Sequence, residues 1–169
     1  MSDAARPAAQ LSEEEMRAIG GLIVETSPHA ISLGMRMIEV GPGRCLLEAP
    51  YDESFVGDPE TGVIHGGVAT ALLDHACGVA AALGMTQDGA PVTLDLRIDY
   101  FRTARPGRSL VASARCVKVT HNVAFVSALA HDGDPDDPVA SAASSFVIPG
   151  NAPGRKDTKA DAGKKGEGA

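Results

Sequence analysis

Between Val92 and Tyr100 the apolar residues Val92, Leu94, Leu96, Ile98 and Tyr100 alternate strictly with Thr93, Asp95, Arg97 and Asp99. Period two marks a half-buried strand, and this is the clearest one in the chain. Leu110 to Val119 keeps one phase through Leu110, Ala112, Ala114 and Cys116, then changes to Val117 and Val119, which predicts a strand carrying a bulge. Residues 123–130 and 139–148 add two more strands. Upstream, residues 31–40 and 44–49 read as a hairpin across the turn signal Gly41-Pro42-Gly43.

Two stretches follow the helical period instead. Ser12 followed by three glutamates, with Met16, Ile19 and Ile23 behind them, predicts an amphipathic helix with Ser12 as N-cap and Glu15 closing a capping box, ending near Ser27-Pro28. Residues 68–85 are the most apolar of the chain and approach the length of a membrane span. Asp74 and His75 near their middle favour a buried helix instead. A long loop, residues 51–64, leads into it. Small residues (Gly66, Gly67, Ala69, Ala71, Ala76, Gly78) cover most of this helix, so a curved sheet and a second copy of the chain can wrap it closely. The element order is α+β, with a mostly antiparallel sheet.

Composition narrows the function. The length, 169 residues, fits one domain. Residues 1–10 and 150–169 offer almost nothing to bury and are expected to be disordered, leaving 11–149 as the folded unit. A net charge of −7 argues against nucleic acid, whose phosphates need clustered cations. Cys45, Cys77 and Cys116 are too far apart for a zinc module or a disulfide framework, which fits a reducing compartment. With no secretory signal pattern at the start, the expected location is cytoplasmic, off the membrane.

The chemistry concentrates in Gly62-Val63-Ile64-His65-Gly66-Gly67, followed seven residues after Gly67 by Asp74. Unpaired N–H groups at a helix N-terminus carry the positive end of the macrodipole, and glycine lets a substrate approach them. Seven residues are nearly two turns, so Gly67 and Asp74 share a face but lie roughly 10 Å apart along the axis. Two such helices running antiparallel about a two-fold axis would set Asp74 of one chain beside Gly67 of the other. That arrangement predicts two shared sites per dimer.

This stretch, the Asp74 spacing and the strand Thr93-Leu94-Asp95-Leu96-Arg97-Ile98-Asp99-Tyr100-Phe101-Arg102 together resemble the PaaI-like hotdog thioesterases over roughly residues 30 to 149. The resemblance implies a hotdog fold, a sheet of five to six strands around a long central helix, and a homodimer or a homotetramer built as a dimer of dimers. It implies hydrolysis of acyl-CoA without cofactor or metal. Asp74 would be the nucleophile or general base, Gly67 the oxyanion donor beside Gly66, His65 the shaper of the turn, and Thr93 the residue that orients water. The family often has an asparagine in the preceding loop. Here Asp58 is the nearest equivalent, and a carboxylate cannot donate as an amide does.

Bland readings compete at several of these positions. Asp74 could be a satisfied core carboxylate, although a buried Asp usually has a partner or a task. His75 and Cys77 point to different helix faces, which disfavours a metal or a Cys-His nucleophile. Arg102 and Arg105 are the expected phosphate contacts, against the alternative of a solvated edge paired with neighbouring acids. The acidic run 132–137 reads as a solvated hairpin turn. Two other functions share the fold's logic: a dehydratase or hydratase on acyl thioesters, and a non-enzymatic acyl-CoA binding protein.

Overall fold

The computed structural model describes residues 11–85 and 89–148; the expectations for the two termini lie outside the described residues. Helix α1 (Glu13–Val24) begins as its sequence predicts. Ser12 Oγ accepts from the Glu15 N–H, and the Glu15 carboxylate accepts from the Ser12 N–H. It stops at Val24, before Ser27-Pro28. That dipeptide starts a second, short helix, α2 (Pro28–Ser32), with Ser27 as its N-cap and Pro28 in its first turn. Residues 31 and 32, expected in a strand, are therefore helical. A proline that cannot continue one helix is pre-set to open the next.

Strand β1 (Arg36–Gly41) turns at Gly43, in the left-handed region with φ of 63°, into β2 (Arg44–Ala49). Residues 51–64 are more ordered than a plain loop. They hold a single 3-10 turn (Glu53–Phe55) and a short antiparallel pair, β3 (Val56–Asp58) and β4 (Val63–Ile64). The central helix α3 spans Gly66–Gly84, and four strands follow: β5 (Val92–Tyr100), β6 (Leu110–Val119), β7 (Val123–His131) and β8 (Ala140–Val147).

The main sheet has six antiparallel strands in the order β1-β2-β6-β7-β8-β5. Its concave face packs on α3, where Leu72, Leu73, Val79 and Leu83 meet Leu47, Leu110 and Phe146, all buried. The change of phase in β6 is a bulge, a register shift between Cys116 and Lys118. Helix α3 is long and apolar enough to cross a membrane, but most of it lies inside the sheet. Cys45 and Cys77 are free and buried, and burial pushes their thiols up to about 12 and about 11, so both are poor nucleophiles.

Strand β5 closes one side of the sheet and leaves several of its apolar side chains uncovered. Val92, Leu94, Tyr100 and the adjoining Phe101 are each about half exposed, whereas Leu96 and Ile98 pack against the core. An open apolar edge of this kind is a template for another strand.

Candidate active site

His65 holds the N-terminus of α3. As N-cap it aims Nδ1 at the helix and accepts from the Gly67 N–H at 2.9 Å, while its own N–H donates to Phe55 O at 2.8 Å. The turn is thus tied to the 3-10 segment before it. Gly67, expected as the oxyanion donor, already has an acceptor in His65; among the described residues the Gly66 N–H has none. The Gly66 carbonyl accepts from Tyr100 Oη at 2.8 Å and from Thr70 Oγ1 at 3.2 Å, and the two hydroxyls lie 2.8 Å from each other. Tyr100 and Thr70 were not among the expected site residues. A phenol on a strand beside a helix N-terminus, needing a partner for its hydroxyl, is the signal that could have found Tyr100.

Gly67, Thr70, Ala71 and Asp74 follow one another at helical spacing and form an open stripe on an otherwise largely buried helix. They line a groove of about 480 Å³ together with His29 and Thr93. Thr93 Oγ1 donates to Asp74 Oδ1 at 3.0 Å. The alternation in β5 groups Thr93 with the outward-facing Asp95, Arg97 and Asp99, and a bulge reverses that. Thr93 pairs with Phe146 and Asp95 with Ser145, so Leu94 is the extra residue. The inserted residue turns Thr93 towards the helix and onto the carboxylate.

Three other expected residues point away from this groove. Asp58 closes the β3–β4 turn, accepting from the Glu60 N–H at 3.1 Å and from Thr61 Oγ1 at 2.7 Å, contacts that hold its carboxyl below the usual range. Arg102 and Arg105, expected at phosphates, clasp two acids instead. Arg102 donates through both terminal nitrogens to Asp132 at 2.8 Å, and Arg105 donates to Asp137 at 3.0 Å and, through its backbone N–H, to Asp132 at 2.7 Å. Two cations face two acids, so the cluster is neutral. Asp132 is not part of a solvated turn, since its side chain has no exposure and Arg102 holds its carboxyl well below the ordinary range. His75 packs on α2, with Nδ1 against Ala71 O at 2.9 Å. Among the described residues no three His, Cys, Asp or Glu side chains gather as a metal site.

Residues 61–139, from the turn before α3 to the last hairpin, match the sequence profile of the thioesterase superfamily. Human acyl-coenzyme A thioesterase 13 is 30% identical over 92 residues, which are 54% of this chain and 63% of that one. Over three such relatives the matched part is 61%, 64% and 63% of the relative, so this chain spans less than two thirds of their length. A crystal structure from Pseudomonas aeruginosa is 32% identical, with a TM-score of 0.73, covering 79% of this chain and 98% of that one. A mutant form of the phenylacetic acid degradation protein PaaI from Thermus thermophilus is 25% identical, with a TM-score of 0.63 over 72% of this chain and 98% of its own. In sequence profile, strand order and enclosed helix, this chain belongs to the thioesterase superfamily, on its PaaI-like hotdog side.

Proposed function

We propose that this chain hydrolyses acyl-CoA thioesters at a site shared between two copies, with Asp74 as nucleophile or general base. One observation carries the reading: the Gly66 N–H at the start of α3 has no acceptor among the described residues, and the open stripe that follows, from Gly67, ends at a carboxylate oriented by Thr93. The thioester oxygen would accept from the Gly66 N–H at the positive end of the helix, where charge developing on it is stabilised without reorganisation. The Gly67 N–H would join in when His65 moves off it. Asp74 either attacks the carbonyl carbon, forming a mixed anhydride that water then hydrolyses, or takes a proton from a water that attacks directly; in both routes CoA leaves as the thiolate.

Donor and carboxylate are roughly two helical turns apart within one chain. A two-fold axis running antiparallel helices along this stripe would bring the Asp74 of one copy to the Gly66-Gly67 turn of the other, and the uncovered edge of β5 would pair with its counterpart. Acyl-CoA is the favoured substrate because several relatives, such as human acyl-coenzyme A thioesterase 13, are named acyl-CoA thioesterases.

Subunit mixing tests the shared site. Asp74→Ala removes the carboxylate, and Gly67→Val puts a Cβ within 2.8 Å of His65 Nδ1, displacing the cap and blocking the turn. Each variant alone should release almost no thiol from acyl-CoA. Co-refolded, about half of randomly paired dimers are mixed, each with one intact site of two, so up to about a quarter of wild-type activity returns. No recovery in demonstrated heterodimers would mean that a single chain supplies every catalytic group.

A further inference from the structure

Tyr100 separates two spaces of opposite character. Its hydroxyl is held by Gly66 O and by Thr70, a residue of the groove that contains Asp74. Its ring faces a second cavity, of about 400 Å³, walled by Val63, Ile64, Ala69, Ala104, Leu110 and Val139, with Gly66 at its edge. The wall is mostly apolar, with Thr103 and Arg102 as its polar side chains. The charged side chain beside it, Arg102, has its guanidinium bound by Asp132 and Asp137 and offers no open cation to a ligand. This space therefore borders Gly66, whose N–H is proposed to hold the thioester oxygen, and it has the chemistry of a hydrocarbon site.

We propose that this cavity receives the acyl chain, and that it selects an apolar acyl group of about six to ten carbons over short and ω-carboxyl acyl groups. The inference rests on the hydrolase reading for the position of the carbonyl. With the oxygen on Gly66 the tail enters beneath the Tyr100 ring, while the polar half of the substrate stays on the His65 and Gly67 side, where Ser54, Gly57 and His29 line a more mixed pocket. The size limit follows from volume. At about 30 Å³ per methylene-sized group the cavity holds roughly a dozen such groups if filled completely, and fewer at an open mouth. Each buried methylene is worth up to about a fourfold gain in kcat/KM until the space is full. A terminal carboxylate would be buried there without a counter-ion.

The test compares kcat/KM for propionyl-, octanoyl- and palmitoyl-CoA and for the ω-carboxyl analogue of octanoyl-CoA. Wild type should favour octanoyl over propionyl by at least ~10-fold, gain little or nothing at palmitoyl, and lose most of the octanoyl advantage with the ω-carboxylate. Ala104→Leu and Val63→Phe fill the cavity from two different walls. Each should lower the octanoyl-to-propionyl ratio by at least ~10-fold, a ratio that partial unfolding does not change. A wild-type ratio near one, or a ratio unchanged in both folded variants, overturns the assignment; if one variant fails to fold, the other decides. If wild type hydrolyses none of these thioesters, the hydrolase reading fails separately. Calorimetric titration of octanoyl- against propionyl-CoA into wild type and Val63→Phe then decides the cavity. It stands if chain length strengthens binding only in wild type, and falls if the two proteins respond alike.

Discussion

Asp132 has no exposed side-chain surface and accepts from both terminal nitrogens of Arg102 at 2.8 Å and from the Arg105 N–H at 2.7 Å. Asp74 lies half-buried on the open stripe of α3 and accepts from Thr93 Oγ1 at 3.0 Å. Both are acids in an acidic chain, and both hold a partner from a distant element. Their difference is in what is left over. The lone pairs of Asp132 are filled by donors that neutralise it and tie the segment after β5 to the β7–β8 hairpin, whereas those of Asp74 remain open towards a groove. A carboxylate whose contacts are complete acts on stability, and one whose contacts are incomplete can act on a substrate.

That contrast predicts opposite phenotypes. Asp132→Ala removes the buried acid and leaves only Asp137 facing the partly buried Arg102, which should cost on the order of 3 kcal/mol of folding free energy, read as a lower urea midpoint with an unchanged slope. Its residual folded fraction should turn over normally. Asp74→Ala should keep the wild-type midpoint and lower turnover by at least ~10²-fold. Asp74→Asn should do the same while still binding acyl-CoA. A stable, inactive Asp132 variant, or an active Asp74 variant, breaks the comparison.

Acid sharpens it. The pairing with Arg102 holds the Asp132 carboxyl below its ordinary range, so its stabilising contribution is complete above the unfolded-state value of about 4 and is lost as pH falls below it towards the lower folded-state value. Wild-type melting temperature should therefore drop steeply below about pH 4. Asp132→Asn should already be lower at about pH 6 and should lose less on acidification, so the two curves converge. Parallel curves in calorimetry from about pH 6 to about pH 3 would remove Asp132 as the acid-sensitive group.

Much of the frame was legible in the sequence. The capping box of α1, the Gly41-Pro42-Gly43 turn, the bounds of β5 and the phase change in β6 are local signals, and each corresponds to a local structure. What escaped depends on contacts between distant residues or on a signal with two meanings. Ser27-Pro28 can stop one helix or start another, and only packing against α3 decides. Asp132 and Arg102 are 30 positions apart, one in the β7–β8 turn and the other in the connection after β5, so an acidic turn looked solvated. The bulge in β5 was hidden because Leu94, the inserted residue, is apolar and keeps the alternation intact. Residue pattern alone places Thr93 outside; the family resemblance suggested it for the site, and the bulge explains how it reaches there.

The smallest expected effect is at Thr93, and it separates orientation from chemistry. Thr93 donates one hydrogen bond to Asp74 from an edge strand, and a single neutral donor to a carboxylate is worth about 1 to 2 kcal/mol at most. Thr93→Ala should then lower kcat by about 5- to 30-fold, well short of the loss in Asp74→Ala, because the carboxylate remains and only its preferred rotamer is lost. Thr93→Val keeps the shape and the β-branched fit to the strand but has no hydroxyl, so it should match Thr93→Ala. Thr93→Ser restores the donor and should recover most of the activity. If valine is as active as threonine, shape rather than the hydrogen bond holds Asp74. If alanine is as damaging as the loss of Asp74 itself, the hydroxyl takes part in the chemistry, and the division of roles between the two residues is wrong.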